Sequence, residues 1–278
     1  MIASFLLALR EGLEAALIVG LTIGVLTKMK RREQMPAVWM GVGAATAVSL
    51  IVALILHQVG AELEGAAEQI FEGVTMFLAG AVLTWMIFWM ARQGRQVQAD
   101  LQADVKTALV RGGRWGLFAI AFFAVVREGV ETALFLTAAA MSSSAQQVLI
   151  GSLAGLAAAA VLGWLLFATA VRLNVRRFFQ VTGVLLILFA AGLIAHGIHE
   201  FNEAGLIPAV IEHVWDMNHI LDENSTLGLT LKALFGYNGN PSLTEILGYI
   251  GYYIAIFLGL RQAEHRTTAV VTREVAAS

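Results

Sequence analysis

Apolar residues run almost unbroken for about twenty positions at a time, seven times along the chain. The runs cover Ile2 to Thr27, then about Ala37 to Leu56, Ile70 to Ala91, Gly116 to Ala140, Gln147 to Val171, Phe178 to His199 and Thr244 to Leu260. A helix rises about 1.5 Å per residue, so runs of this length can cross the roughly 30 Å hydrocarbon core of a bilayer. The pattern predicts an all-α polytopic membrane protein with seven transmembrane helices. The first run is too long for a signal-peptide core, has no basic residue before it and holds Arg10, Glu11 and Glu14. It reads as an uncleaved first helix.

Composition agrees with the pattern. Of 278 residues, 58% are apolar and only 14% charged, against about 25% charged in an ordinary soluble domain. Mean hydropathy is +0.75. These values exclude most soluble-enzyme and nucleic-acid-binding classes, and a formal charge of -2 offers a polyanion nothing. No cysteine is present, so disulfides, thiolate metal sites and thiol nucleophiles are excluded.

The location of the charges is more informative than their sum. Basic residues gather after the first run (Lys28, Lys30, Arg31, Arg32), the third (Arg92, Arg95, Lys106, Arg111, Arg114), the fifth (Arg172, Arg176, Arg177) and the seventh (Arg261, Arg266, Arg273), whereas the alternate loops hold only Lys232. Cytoplasmic loops retain Lys and Arg. The bias predicts an external amino terminus and a cytoplasmic carboxyl terminus.

The remaining basic residues, Arg10 and Arg127, fall inside runs, and each opens the same motif. Arg10-Glu11-Gly12-Leu13-Glu14-Ala15-Ala16-Leu17 recurs as Arg127-Glu128-Gly129-Val130-Glu131-Thr132-Ala133-Leu134, identical at six of eight positions. The two copies enter the membrane in opposite directions. Fainter echoes sit 110 residues apart: Val38, Gly41 and Ala44 match Val148, Gly151 and Ala154, and Gly73-Val74 matches Gly183-Val184. Together they predict an inverted repeat of three plus three helices, which places a transport site at the midplane, with a seventh helix outside the symmetry. The expected organisation is repeat one at 1–91, a cytoplasmic connection at 92–115, repeat two at 116–199, an external loop with an amphipathic helix at 200–243, span seven at 244–260 and a cytoplasmic tail at 261–278.

On a helix, Glu11 and Glu14 share a face and Arg10 meets Glu14 four residues on. The second motif repeats this geometry with Glu128, Glu131 and Arg127. An ionised side chain at the bilayer centre costs about 2.5–3.5 kcal/mol on insertion scales, so these groups need partners or a ligand. Arg–Glu pairing that merely holds the bundle together accounts for two of the four carboxylates. The surplus pair is either protonated or holds a cation, and oxygen-only ligands suit a hard ion. Gly12 and Gly129 remove a side chain beside the carboxylates and permit close helix approach.

Two intramembrane R-E-G-[LV]-E copies in a seven-span chain resemble the oxidase-dependent iron permease family. The resemblance extends to Phe71-Glu72-Gly73, to Leu83-Thr84-Trp85-Met86 with Phe88-Trp89-Met90, and to Phe235-Gly236-Tyr237 followed by Pro241-Ser242. It implies iron import, with Glu11, Glu14, Glu128 and Glu131 at the family's iron-binding positions. It also implies iron as substrate with no resident cofactor, and an extracytoplasmic protein that oxidises or delivers iron. The compact chain looks like the bacterial branch, which implies the bacterial inner membrane. Relatives assigned to lead uptake keep a lead or other divalent-metal permease as the alternative. A passive cation channel stays open too, as do the oxidation state, the coupling ion and the oligomeric state. A di-iron enzyme is disfavoured, because those centres use Glu-x-x-His pairs and this chain has none.

Five of the six histidines fall on or near the external side: His57, His196, His199, His213 and His219. His196, His199, Glu200 and Glu203 form one stripe of a continuing helix, read as a wet lip that gathers cations. A helix expected from Pro208 carries Glu212, Asp216, His219 and Glu223 along one face, a pattern that also fits a solvated helix lying on the leaflet. Glu72, just inside the third run, is placed to guard an entrance.

Overall fold

The structure, a computed structural model, describes residues 1–93, 103, 105, 107–108, 112–141, 143–168, 175–223 and 225–277. Among them it contains helices, turns and irregular segments and no strand. The connection expected at 92–115 lies largely outside the described residues, as do the side chains of Arg92, Arg95, Lys106, Arg111, Arg172, Arg176, Arg177, Arg266 and Arg273.

The helices are α1 (Ile2–Lys28), α2 (Met35–Glu62), α3 (Ala66–Gln93), α4 (Gly113–Met141), α5 (Ala145–Ala168), α6 (Val175–Glu203), α7 (Thr226–Phe235) and α8 (Leu243–Ala277). Six of the seven apolar runs lie within one of the long helices, and the fifth, Gln147 to Val171, is helical to Ala168, where the described residues stop. Among the described residues, five segments are long and apolar enough to cross a membrane: Arg32–Glu62, Ala66–Trp89, Ala145–Phe167, Phe178–Glu203 and Leu243–Gln262. The protein is therefore an integral membrane protein. Helices α1 and α4 have the length, at 27 and 29 residues, but the charged motif residues set them apart in composition. Hydroxyl side chains within the helices bond back to the carbonyl four residues earlier, as in Thr22 to Ile18, Ser49 to Ala45 and Thr132 to Glu128. They thus need no partner from a neighbouring helix.

The chain divides into two compact units, one of Met1–Glu64 with Arg95–Val184 and one of Gly65–Gly94 with Leu185–Ser278. In the first unit, α1 packs chiefly on α5, α2 packs chiefly on α4, and α1 also meets α4. Leu9 and Leu13 of α1 bury against Ala159, with Leu162 and Leu166 alongside. At the other end of α1, Leu26 joins Ala37 and Val38 of α2 and Leu117 and Ala121 of α4. The chain leaves α1 through Lys30, whose φ of 57° turns it sharply, and re-enters a helix with Pro36 in the first turn.

These contacts are reciprocal residue by residue. A Cβ on Gly12 would lie 2.9 Å from the Ala159 Cβ, and one on Gly129 would collide with the Ser49 hydroxyl. A Cβ on Gly41 would meet the Phe118 carbonyl and the Ala121 Cβ, and one on Gly151 would meet the Met1 carbonyl and the Ser4 hydroxyl. Shifting Gly12, Met1 and Ser4 by the motif spacing gives Gly129, Phe118 and Ala121, while shifting Ser49 and Gly41 by 110 gives Ala159 and Gly151. Helix backbones pack closely only where side chains are this small. Gly41→Ala puts a methyl group 2.6 Å from the Phe118 carbonyl oxygen and 3.0 Å from the Ala121 Cβ, an overpacking expected to cost about 1–3 kcal/mol. Thermal unfolding of the purified protein in detergent checks this, and an unchanged midpoint would contradict it.

In the second unit, Phe77 of α3 and Phe201 of α6 stack with centroids 5.4 Å apart, and Thr84 meets the Tyr252 hydroxyl of α8 at 2.9 Å. The helix expected from Pro208 is absent, and the residues from 208 to 223 are not helical. Their backbone is used otherwise: Val214 donates to the Pro241 carbonyl, Met217 to Gly239, and Leu243 to Ile211. Val210 takes a φ of 63°, unfavourable for a β-branched residue in any helix. Segment-to-segment pairing has overridden the helical spacing of the acids. The helix of this region is α7, capped by the Ser225 hydroxyl accepting from the Gly228 amide and closed by Gly236 at φ 68°.

Candidate metal site

The first motif copy lies on the buried face of α1. Arg10 is 1% exposed and spans two carboxylates, with Nη1 2.8 Å from Glu11 Oε1 and Nη2 2.9 Å from Glu14 Oε1. In the second copy, on α4, Arg127 Nε lies 2.9 Å from Glu131 Oε1 and 3.9 Å from Glu128 Oε1. The helix spacing provides the Arg10–Glu14 and Arg127–Glu131 pairs, each four residues apart. The contact of α1 with α4 brings the two copies together.

Glu11, Glu128 and Glu131 each offer a carboxylate oxygen, all within 4.8 Å of one another. All three are buried, at 1%, 4% and 9% exposure. The Oε2 atoms of these glutamates have no hydrogen-bond partner. Buried carboxylate oxygens left without donors are costly, and three carboxylates that converge in one place match the ligand set of a hard cation. Glu14 stands outside this trio. The copies also differ in access, since the Arg127 side chain is 37% exposed. The sequence motifs, nearly identical, carried no sign of this inequality.

Gly12 and Gly129 sit at the helix approaches, against α5 and α2 respectively. The external residues divide differently from the sequence expectation. His196 is buried at 6% exposure, so it is not part of a wet lip: the helix continues to Glu203 and the second unit covers that turn. His199 is partly exposed and clasped, with Nδ1 3.1 Å from Glu245 Oε1 and Nε2 3.3 Å from Glu203 Oε1. Glu203 also accepts from Gln69 at 3.0 Å. Glu72 and Glu200 are half-buried, Glu212, Asp216 and His219 are exposed, and Glu223 is half-buried, accepting from the Gly239 amide at 3.3 Å. None of these joins the carboxylate trio.

Glu245 was missed in the sequence, although Ser242-Leu243-Thr244-Glu245 is a capping-box pattern. Its Oε1 accepts from the Ser242 amide at 3.1 Å, the Ser242 hydroxyl accepts from the Glu245 amide at 3.3 Å, and Asn238 donates to Oε2 at 2.8 Å. This buried carboxylate ties α8 to α6 through His199. Glu245→Ala is expected to lower stability by about 1–2 kcal/mol, the range of a lost cap, without weakening cation binding at the trio. A thermal-unfolding midpoint measured beside a metal-binding isotherm would separate the two effects.

Comparison with known proteins gives a consistent result. The Iron permease FTR1 family model matches residues 1–271. A ferrous iron permease EfeU of Escherichia coli O6:H1 is 39% identical over 256 residues, covering 91% of this chain and 93% of that relative. A ferrous iron permease EfeU of Yersinia pestis is 36% identical over 256 residues, covering 91% of each chain. No solved structure matches the chain.

Proposed function

The chain belongs to the iron permease FTR1 family, and from that premise we propose that it imports ferrous iron by alternating access at the carboxylates of its two Arg-Glu-Gly-[Leu/Val]-Glu motifs. The observation that carries this reading is the meeting, between α1 and α4, of the Glu11, Glu128 and Glu131 carboxylates, each of which leaves one buried oxygen without a hydrogen-bond partner. The four motif glutamates against two arginines leave a formal -2, which one divalent ion neutralises. A bare ion in hydrocarbon is prohibitive, and a neutral cluster of oxygen ligands removes that barrier. An inside-negative potential favours entry by about 2.3 kcal/mol per charge per 100 mV.

In this proposal α1 and α4 join the five apolar segments to make seven spans. The residue-by-residue exchange of α1–α5 for α4–α2 contacts supports an inverted repeat, and the basic loops support an external amino terminus and a cytoplasmic carboxyl terminus. The membrane is the bacterial inner membrane, and the metal arrives from an extracytoplasmic protein that delivers or oxidises iron. Homologues named permeases agree with a transporter rather than an enzyme.

The test is uptake into proteoliposomes holding the purified chain, compared for Fe(II), Fe(III), Pb(II) and Mn(II). Saturable Fe(II) uptake that exceeds the others is expected. A rate linear in metal would indicate a channel, and preference for Pb(II) would change the cargo. A cytoplasmic reporter fused after Ser278 is expected to be active, and activity only of a periplasmic reporter would reverse the topology.

A further inference from the structure

The two motif copies are equal in sequence and unequal in the structure, and the inequality has a direction. Arg10 is closed off and holds both glutamates of its own copy. Arg127 is over a third exposed and lies a full ångström farther from Glu128 than from Glu131. The trio of convergent oxygens takes one glutamate from the first copy and two from the second, and Glu14 lies outside it, its Oε1 2.9 Å from Arg10 and without a hydrogen bond.

The exchange that carries Gly12 onto Gly129 and Ser49 onto Ala159 carries Glu11 onto Glu128 and Glu14 onto Glu131. It does not leave the trio unchanged. Glu11, Glu128 and Glu131 become Glu128, Glu11 and Glu14. An inverted repeat relates two arrangements of one chain, alike in local packing but open to opposite sides of the membrane. If one arrangement is the observed one, its counterpart uses the second trio. Resting on the proposed transport reading, we propose that Glu11 and Glu128 hold the cation throughout the cycle, while Glu131 and Glu14 are exchanged as ligands, one serving each side. Arg10 and Arg127 trade roles at the same time, each in turn spanning both glutamates of its own copy.

The exchange answers a requirement of transport. An ion that kept every ligand would have no reason to leave, whereas replacing one carboxylate at a time keeps the charge compensated at each stage. It also explains why the motif holds two glutamates three residues apart when the observed trio needs only one of them from the first copy.

Equilibrium Fe(II) binding to the detergent-purified full chain, kept anaerobic and reduced, tests this beside Fe(II) uptake into proteoliposomes. Glu131→Gln is expected to weaken binding by at least about tenfold, a loss that even an outer-shell partner can produce. Glu14→Gln should bind within about threefold of the unchanged chain, while its uptake falls by at least about tenfold. Glu14→Asp keeps a charge for Arg10 and shortens the ligand, so it should show the same separation if the Gln variant does not fold. The mirror result, with binding lost in Glu14→Gln and kept in Glu131→Gln, would also support exchange, with the other side favoured in detergent. Equal loss of binding in both variants would overturn exchange in favour of a fixed four-glutamate site. Normal uptake by Glu14→Gln would overturn it as well. Unchanged binding and uptake in Glu11→Gln and Glu128→Gln would instead remove the carboxylate site itself, and the exchange with it.

Discussion

Iron uptake by the Glu11→Gln, Glu14→Gln, Glu128→Gln and Glu131→Gln variants falls to nearly the level of protein-free vesicles, while each protein still reaches the membrane folded. Glutamine keeps the size and hydrogen-bonding capacity of glutamate and removes the charge. With one carboxylate gone, a divalent ion crossing the cluster meets a stage of the cycle at which its charge is left uncompensated. At about 2.5–3.5 kcal/mol for a charge at mid-membrane, and a factor of ten for about every 1.4 kcal/mol, transport should fall about a hundredfold. Uptake as a function of Fe(II) concentration, with size-exclusion profiles as the check on folding, decides the matter. Normal uptake by all four would reduce the motifs to structural ion pairing.

The arginines should separate by burial. Removing one partner of a buried charge cluster costs about 3–5 kcal/mol, and Arg10→Gln should fall in this range because Arg10 is wholly enclosed and holds two carboxylates at 2.8 and 2.9 Å. Arg127→Gln should cost much less, since water reaches that guanidinium. Lysine should replace Arg10 poorly, because a single ammonium cannot reproduce two contacts made by separate terminal nitrogens. Unfolding midpoints in detergent for Arg10→Gln, Arg10→Lys and Arg127→Gln give the order, and equal losses in the two Gln variants would contradict the burial argument.

The sequence revealed the positions of the long helices and the existence of the carboxylate cluster, since both rest on local patterns: apolar runs of fixed length and charges at helical spacing. The family resemblance drawn from the doubled motif is borne out over residues 1–271. What could not be read depends on tertiary partners. The stripe of His196 and His199 correctly marks one helix face, yet periodicity does not say what covers it, and one residue is buried while the other is clasped by Glu245. The acids after Pro208 have helical spacing, but that segment pairs its backbone with 239–243 instead. The different placement of Glu14 and Glu131 relative to the trio was beyond any sequence reading, because one motif written twice gives no reason for its copies to differ.

The crossed packing of the first unit bears on how the chain is made. Helix α1 carries Arg10, Glu11 and Glu14, and its main neighbour, α5, is translated long after it. During synthesis the first motif must therefore enter the membrane, or wait beside it, before the helix that encloses it exists. Arg10 sits within reach of both glutamates on its own helix, so a partly neutralised segment is available without help from the second half. The local ion pairs then act as a temporary escort through biogenesis, and the completed repeat takes over once α4 and α5 have arrived.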